Sequence, residues 1–158
     1  MLDLYIDADA CPVRDEAFRV AERYGLAVFV VTCGNVRVPI HPRIRLVLVE
    51  AGADAADDWI ALHIGAGDIC VTSDVPLAAR CLKQGANALG PTGRRFTPDN
   101  IGEALAGRDL AAHLRELGTG GAGPKPLAPK DRSRFLGELD ALVTATQRAT
   151  AVRVVQKI

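Results

Sequence analysis

Six aspartates at two strand ends and one helix start carry most of the chemistry this sequence could do. Asp7 and Asp9 belong to Tyr5-Ile6-Asp7-Ala8-Asp9-Ala10-Cys11-Pro12-Val13, where an apolar run gives way to a helix start. Asp54, Asp57 and Asp58 stand at i, i+3 and i+4, a spacing that puts all three on one side of a helix. Asp74 follows Ser73 just after the apolar run Ile69 to Thr72. Brought together, unneutralised carboxylates repel: two like charges about 4 Å apart cost about 4 kcal/mol at an effective dielectric of about 20. Such clusters share protons or bind cations. An all-oxygen donor set suits Mg²⁺ or Mn²⁺, which lower the pKa of a bound water and stabilise charge on a transferring phosphoryl group. The chemistry indicated is phosphodiester cleavage. Asp7, Asp54, Asp58 and Asp74 are its catalytic candidates, and all six aspartates are candidate metal ligands.

These residues need elements that converge. Leu2, Leu4 and Ile6 predict a first strand, and a helix is expected from about Pro12 to Tyr24, with Gly25 ending it. Leu26 to Thr32 is a continuous β-branched run, as in a strand covered on both faces, and Ile44 to Val49 reads as another. Cys33 to Arg43, with Gly34, Pro39 and Pro42, reads as a loop. A helix opening at Gly52-Ala53-Asp54, a strand over Ile69 to Thr72, a helix over Pro76 to Gln84 and a short strand over Ala86 to Leu89 complete the alternation. The pattern predicts an α/β fold, a mostly parallel sheet with helices on both faces, followed by C-terminal helices. In such sheets the carboxyl edge of the strands is where ligands bind. Asp7 and Asp74 would both stand there.

Thr97-Pro98-Asp99 is a helix start, and helical patterning runs, with a break near Gly107, to Leu117. Residues 118–130 read as a Gly/Pro-rich linker to a last helix over 131–149, striped by Phe135, Leu139, Leu142 and Val143. Gly118, Gly120 and Gly123 match a dinucleotide fingerprint in spacing only, since no strand precedes them and no helix follows. One domain spanning residues 1–158 is expected, long enough to bury a core without a disulfide or structural metal. Acids and bases balance at 19 each, so a nucleic-acid partner would have to be met locally. Cys11, Cys33, Cys70 and Cys81 lack Cys-x-x-Cys spacing, and no apolar run reaches membrane-spanning length, so a reduced, cytoplasmic protein is expected.

Each candidate has an ordinary structural reading as well. Asp54 could cap its helix with Asp57 completing a capping box, Asp58 could simply favour the helix dipole, and Asp9 could cap the first helix. Asp7 is different, because no capping rule asks for a carboxylate at a strand end. His41, His63 and His113 have no metal-ligand spacing. Cys11 lies at a helix amino terminus, where a thiol pKa can fall, yet a small buried thiol is the simpler role.

Three blocks, Ile6 to Val13, Gly52 to Ile60 and Val71 to Ala78, resemble the bacterial YaiI/YqxD family. Gly90 to Thr97 with Asn100-Ile101, and Gly123-Pro124-Lys125-Pro126 followed by Lys130-Asp131-Arg132 and Phe135, fit the same pattern. The resemblance implies a fold similar to PIN-like nucleases, whose acids gather around Mg²⁺ or Mn²⁺ at the carboxyl edge of a parallel sheet. Asp7 would correspond to their first-strand aspartate, the Asp54 to Asp58 group to the helix acid and Asp74 to the aspartate after the fourth strand. Val75-Pro76-Leu77 lacks the further acid common in those nucleases, so Asp9 or Asp57 would complete the site.

Asp7-Ala8-Asp9 also resembles the nucleophile and acid pair of haloacid-dehalogenase-like phosphatases, with Ser73 as phosphate ligand and Lys83 as cation. A third reading is a non-catalytic RNA- or nucleotide-binding protein. In either nucleic-acid reading, Arg94, Arg95, Lys125, Lys130, Arg132 and Arg134 are the residues expected to meet phosphates, with Ser73 beside them at the acidic edge.

Overall fold

The computed structural model describes residues 2–52, 54–117 and 127–156. In chain order these form β1 (Asp3–Asp7), a single 3-10 turn (Ala8–Ala10), α1 (Arg14–Tyr24), β2 (Ala27–Thr32), β3 (Ile44–Leu48) and α2 (Ala55–His63). There follow β4 (Ile69–Val71), α3 (Val75–Lys83), β5 (Asn87–Leu89), β6 (Arg95–Phe96), α4 (Ile101–Glu116) and α5 (Pro129–Gln156). The sheet order is β3-β2-β1-β4-β5-β6. β1 to β5 are parallel and β6 returns antiparallel to β5. The chain lays β1, β2 and β3 outward in one direction, then starts again on the other side of β1 with β4. That reversal opens a crevice between the loops leaving β1 and β4, the place where ligands bind in open α/β sheets.

Alternation along the strands divides the core into two layers. Leu4, Ile6, Val28, Val30, Ile69 and Val71 face α1 and α5, where they meet Val13, Ala17, Val20, Phe135, Leu139 and Val143. Tyr5, Val31 and Cys70, one position out of phase, face α2 and α3 and meet Ile60, Leu77 and Cys81. Asp7 shares the phase of Tyr5, so the strand pleat points it toward the α2 and α3 side. Beyond α3, α4 packs through a smaller cluster of Ala78, Ala88, Phe96 and Ala104. Among the described residues no helix is long and apolar enough to cross a membrane.

Several element boundaries differ from expectation. α1 begins at Arg14, not Pro12, because Ala8–Ala10 takes a 3-10 turn, and its amino-terminal cap position is Val13 with no side-chain cap bond. Asp9 is therefore not the cap of this helix. Arg95–Phe96, for which no element was expected, is a two-residue edge strand, and α4 passes through Gly107 without the expected break. α5 begins at Pro129 and runs to Gln156, longer at both ends than the expected 131–149. Proline fits the first position of a helix, and the Asp131 carboxylate reaches back to accept the Ala128 N–H at 3.0 Å, so the start of α5 is capped where a linker was expected. The rest of that linker, 118–126, with Lys125 and the three fingerprint glycines, lies outside the described residues.

α5 is fixed along α1 by polar contacts as well as by its apolar stripe. Tyr24 donates its hydroxyl to Asp140 at 2.7 Å, and Arg23 pairs with the same carboxylate. Phe135 is the largest of the fully buried side chains and packs in that interface. Phe135→Ala should cost about 3–5 kcal/mol of unfolding free energy. Urea titration should show a lower midpoint with little change in slope; a loss below about 1 kcal/mol would mean that α5 contributes little to the fold.

Candidate functional site

Asp7, Thr32 and Thr72 are the buried polar side chains among the described residues, and all three stand at the carboxyl edge of the sheet. Pairing of Ile6 with Val71 sets Thr72 next to Asp7, and the Thr72 hydroxyl donates to Asp7 Oδ2 at 2.8 Å. The same Thr72 oxygen accepts the Asp74 N–H at 3.0 Å. One strand over, Thr32 repeats the device: its hydroxyl donates to Asp9 Oδ1, and its oxygen accepts the Gly34 N–H at 3.0 Å. Each threonine thus turns the chain off its strand and holds one aspartate of the site. Sequence reasoning passed over both. The signal was a threonine ending an apolar strand two residues before Gly34 or Asp74, at the edge where the acids were expected.

Four of the six predicted aspartates line one cleft of about 410 Å³ at the β1/β4 crevice: Asp7, Asp9, Asp57 and Asp74. Cys33 and Ser73 border it, and Arg108 of α4, which sequence reasoning did not single out, lines it as well. Asp74 is also the amino-terminal cap of α3, accepting the Leu77 N–H on Oδ1 at 2.9 Å. That bond fixes its carboxylate against the helix start.

The other two helix acids go elsewhere. Successive helical residues are about 100° apart, so Asp57 turns into the cleft while Asp58 turns out and pairs with Arg80 at 2.8 Å. Asp58 borders a separate groove shared with Leu62, Arg80 and Lys83. The expectation that Asp54, Asp57 and Asp58 act from one side is corrected accordingly. Asp54 occupies the cap position of α2 but makes no side-chain cap bond; its carbonyl accepts the Asp58 N–H. The capping-box reading of Asp54 and Asp57 is thus not met either.

The carboxylates feel one another. Burial pushes Asp7 upward, Thr72 opposes that, and the neighbouring Asp74 and Asp9 add to it. Burial likewise works against charge on Asp9, but bonds from Thr32, the Cys33 N–H and the Cys33 thiol hold it below the usual range. Asp57 is pushed up to about 6 by partial burial and by the charges of Asp74, Asp7 and Asp54, with Arg80 opposing. Cys11 is buried, and burial pushes its thiol up to about 11, the reverse of the fall a helix amino terminus could give.

Among the described residues, no three His, Cys, Asp or Glu side chains converge tightly enough to hold a metal ion. The acids ring the cleft instead of closing on one point. Their donor chemistry, oxygen only at Asp7, Asp57 and Asp74, fits a hard divalent cation, with a thiol present at Cys33. Two of the three histidines are engaged elsewhere: His63 stacks on Trp59 at 3.9 Å, and His41 Nδ1 accepts the Arg43 N–H.

The basic residues expected to meet phosphates do not, among those described, gather at this cleft. Arg95 pairs with Glu138 at 2.7 Å, and Arg94 lies over the Phe96 ring at 5.4 Å. Arg132 donates to the Pro12 carbonyl and pairs with Glu16, tying α5 to the approach to α1. Lys130 and Arg134 are exposed on the first turns of α5. Lys83 stands in the Asp58 groove, so the phosphatase-like reading lacks its cation at Asp7.

Residues 5–145 match the family described as "Uncharacterized BCR, YaiI/YqxD family". The chain is similar to the UPF0178 protein of Rhodospirillum rubrum, 59% identical over 150 residues that cover 93% of this chain and 99% of that one. It is also similar to the UPF0178 protein of Caulobacter sp. (strain K31), 55% identical over 148 residues, 94% of this chain and 98% of that one. A further UPF0178 protein, from Rhodospirillum centenum, is 55% identical over 152 residues, 94% and 99% of the two chains. No solved structure matches the chain.

The electrostatics of the cleft set a pH dependence. Asp57 ionises near 6 when folded and near its ordinary 3.8 when unfolded, so between these values the folded state holds more protons. Its contribution to stability is fully present below about pH 4 and is lost as pH rises through about 6. In chelator, Asp57→Asn should gain on the parent across that window by on the order of 1 kcal/mol, after allowance for solvent screening. Thermal melts of the two proteins at a series of pH values measure it; parallel curves would show that Asp57 is not strained by its neighbours.

Proposed function

The chain belongs to the YaiI/YqxD family, and we propose that in this member the acidic cleft binds Mg²⁺ or Mn²⁺ and hydrolyses phosphodiesters of RNA or another nucleic acid, in the manner of a PIN-like nuclease. The observation that carries this reading is the meeting of Asp7, Asp9, Asp57 and Asp74, contributed by three separate segments, in one cleft at the β1/β4 crevice. Among them, Asp7 and Asp57 carry charge that burial and their neighbours oppose, and a bound cation would offset it.

Asp7 and Asp74 are the residues that would hold the metal, with water completing its shell, each carboxylate already oriented by Thr72 or by the start of α3, while Asp9, held by Thr32 and Cys33, would add charge beside them. When bound, the ion supplies charge stabilisation to the phosphoryl oxygens and acidifies a water. Asp57 has a different task. With its pKa raised to about 6, its carboxylate is largely ionised at neutral pH yet basic enough to accept a proton from the attacking water. Water oxygen then bonds to phosphorus as the bond to the leaving oxygen breaks, and that oxygen departs with a proton from solvent. Ser73, at the border of the cleft, would meet a phosphate oxygen.

Mn²⁺ calorimetry with Asp7→Asn and Asp74→Asn tests the metal. Both variants should fold, because asparagine accepts the Thr72 hydrogen bond and caps a helix as well as aspartate does. Each should weaken Mn²⁺ binding by about tenfold or more. Variants that fold and bind Mn²⁺ as the parent does would show the acidic-site proposal to be wrong. Labelled single-stranded RNA tests the chemistry: metal-dependent cleavage should appear with the parent and fall by about a hundredfold or more in Asp57→Asn. Metal-dependent binding with no cleavage would leave a binding protein, and an acyl-phosphate trapped at Asp7 would favour the phosphatase reading.

A further inference from the structure

The exposed guanidinium of Arg108 is the only basic side chain lining the cleft among the described residues. Its position follows from the packing of α4 on α3. Ala104 is buried in the cluster that holds Ala78, and Arg108 comes one turn after Ala104 on the same side of α4. Asp74 comes one turn before Ala78 on α3. The small contact at Ala78 and Ala104 lets the two helices approach, and one turn onward from it Arg108 reaches the rim where Asp74 stands.

The ion pairs among the described residues engage Arg23, Arg80, Arg95 and Arg132, and leave Arg108 out. Four aspartates line the same cleft, yet none of them takes its charge. A guanidinium placed to neutralise those acids would be paired with one of them. One held at the rim, planar and permanently charged, suits an anion that enters the cleft from outside, and its fork matches two phosphate oxygens. We infer that Arg108 is the phosphate-binding residue of this cleft, receiving the non-bridging oxygens of a single-stranded nucleic acid. The inference rests on the phosphodiester reading above. It moves the main phosphate contact from Arg94 and Arg95, which are engaged with Phe96 and Glu138, to a residue on α4.

The test uses the full chain and two probes: Mn²⁺ alone by calorimetry, then a fluorescent single-stranded oligoribonucleotide on the Mn²⁺-loaded protein across a salt series. Arg108→Ala should leave Mn²⁺ affinity within about twofold, weaken oligonucleotide binding by about tenfold, and lower the slope of log affinity against log salt by about 0.7. Arg108→Lys should restore the slope but not the full affinity, since the charge returns without the fork. Arg94→Ala with Arg95→Ala should leave both nearly unchanged. If Arg108→Ala binds the oligonucleotide as the parent does, or if its effect is confined to Mn²⁺, the arginine serves only to balance the acids and the inference is overturned. A parent that binds Mn²⁺ but not the oligonucleotide overturns the inference and leaves the metal reading standing. A parent that binds no Mn²⁺ overturns both.

Discussion

The hydrogen bond from Thr72 to Asp7 is the constraint around which this edge of the molecule is arranged. A carboxylate placed at the end of the central strand, with its residue about 5% exposed, has lost most of its water and needs a donor. Parallel pairing of β1 with β4 supplies one, because the residue after Val71 falls beside Asp7. The same threonine oxygen receives the Asp74 N–H, so the turn out of β4, the cap of α3 and the orientation of Asp7 are settled together. Replacing any of the three would disturb the other two.

Electrostatics then differentiate chemically identical side chains. Asp9 is held below the usual carboxylate range by three donors, Asp7 is pushed toward its neutral form by burial, and Asp57 is pushed up to about 6 by partial burial and then by its charged neighbours. Environment alone creates this spread. An acid-base pair needs groups of unequal proton affinity, and the cleft produces them without using a histidine.

Much of the architecture was legible from the sequence because hydrophobic period and chain punctuation are local. The continuous run in β2, the glycine that ends α1 and the stripe Phe135, Leu139, Leu142, Val143 each announce an element without reference to the rest of the chain. What was not legible depends on partners distant in sequence. The helical spacing of Asp54, Asp57 and Asp58 predicted one acidic side, and Arg80, twenty-two positions beyond Asp58, draws that residue away. β6 is two residues long and exists only because β5 is beside it, and α5 starts early through a carboxylate that reaches back past Pro129. Arg108 had no local mark at all, being one arginine on an exposed helix until α4 is laid against α3.

The paired threonines also settle a question of proton position. In both Thr32 and Thr72 the oxygen accepts a backbone N–H from the turn, and while the aspartate is ionised the single hydroxyl hydrogen points to its carboxylate. Asp7 Oδ2 and Asp9 Oδ1 are the acceptors in that state. A proton taken up by Asp7 leaves the Thr72 bond intact when it sits on Oδ1, the oxygen that Thr72 does not hold. The turn geometry thereby gives the carboxyl a fixed sense, one oxygen tethered to the sheet and the other left to exchange hydrogen.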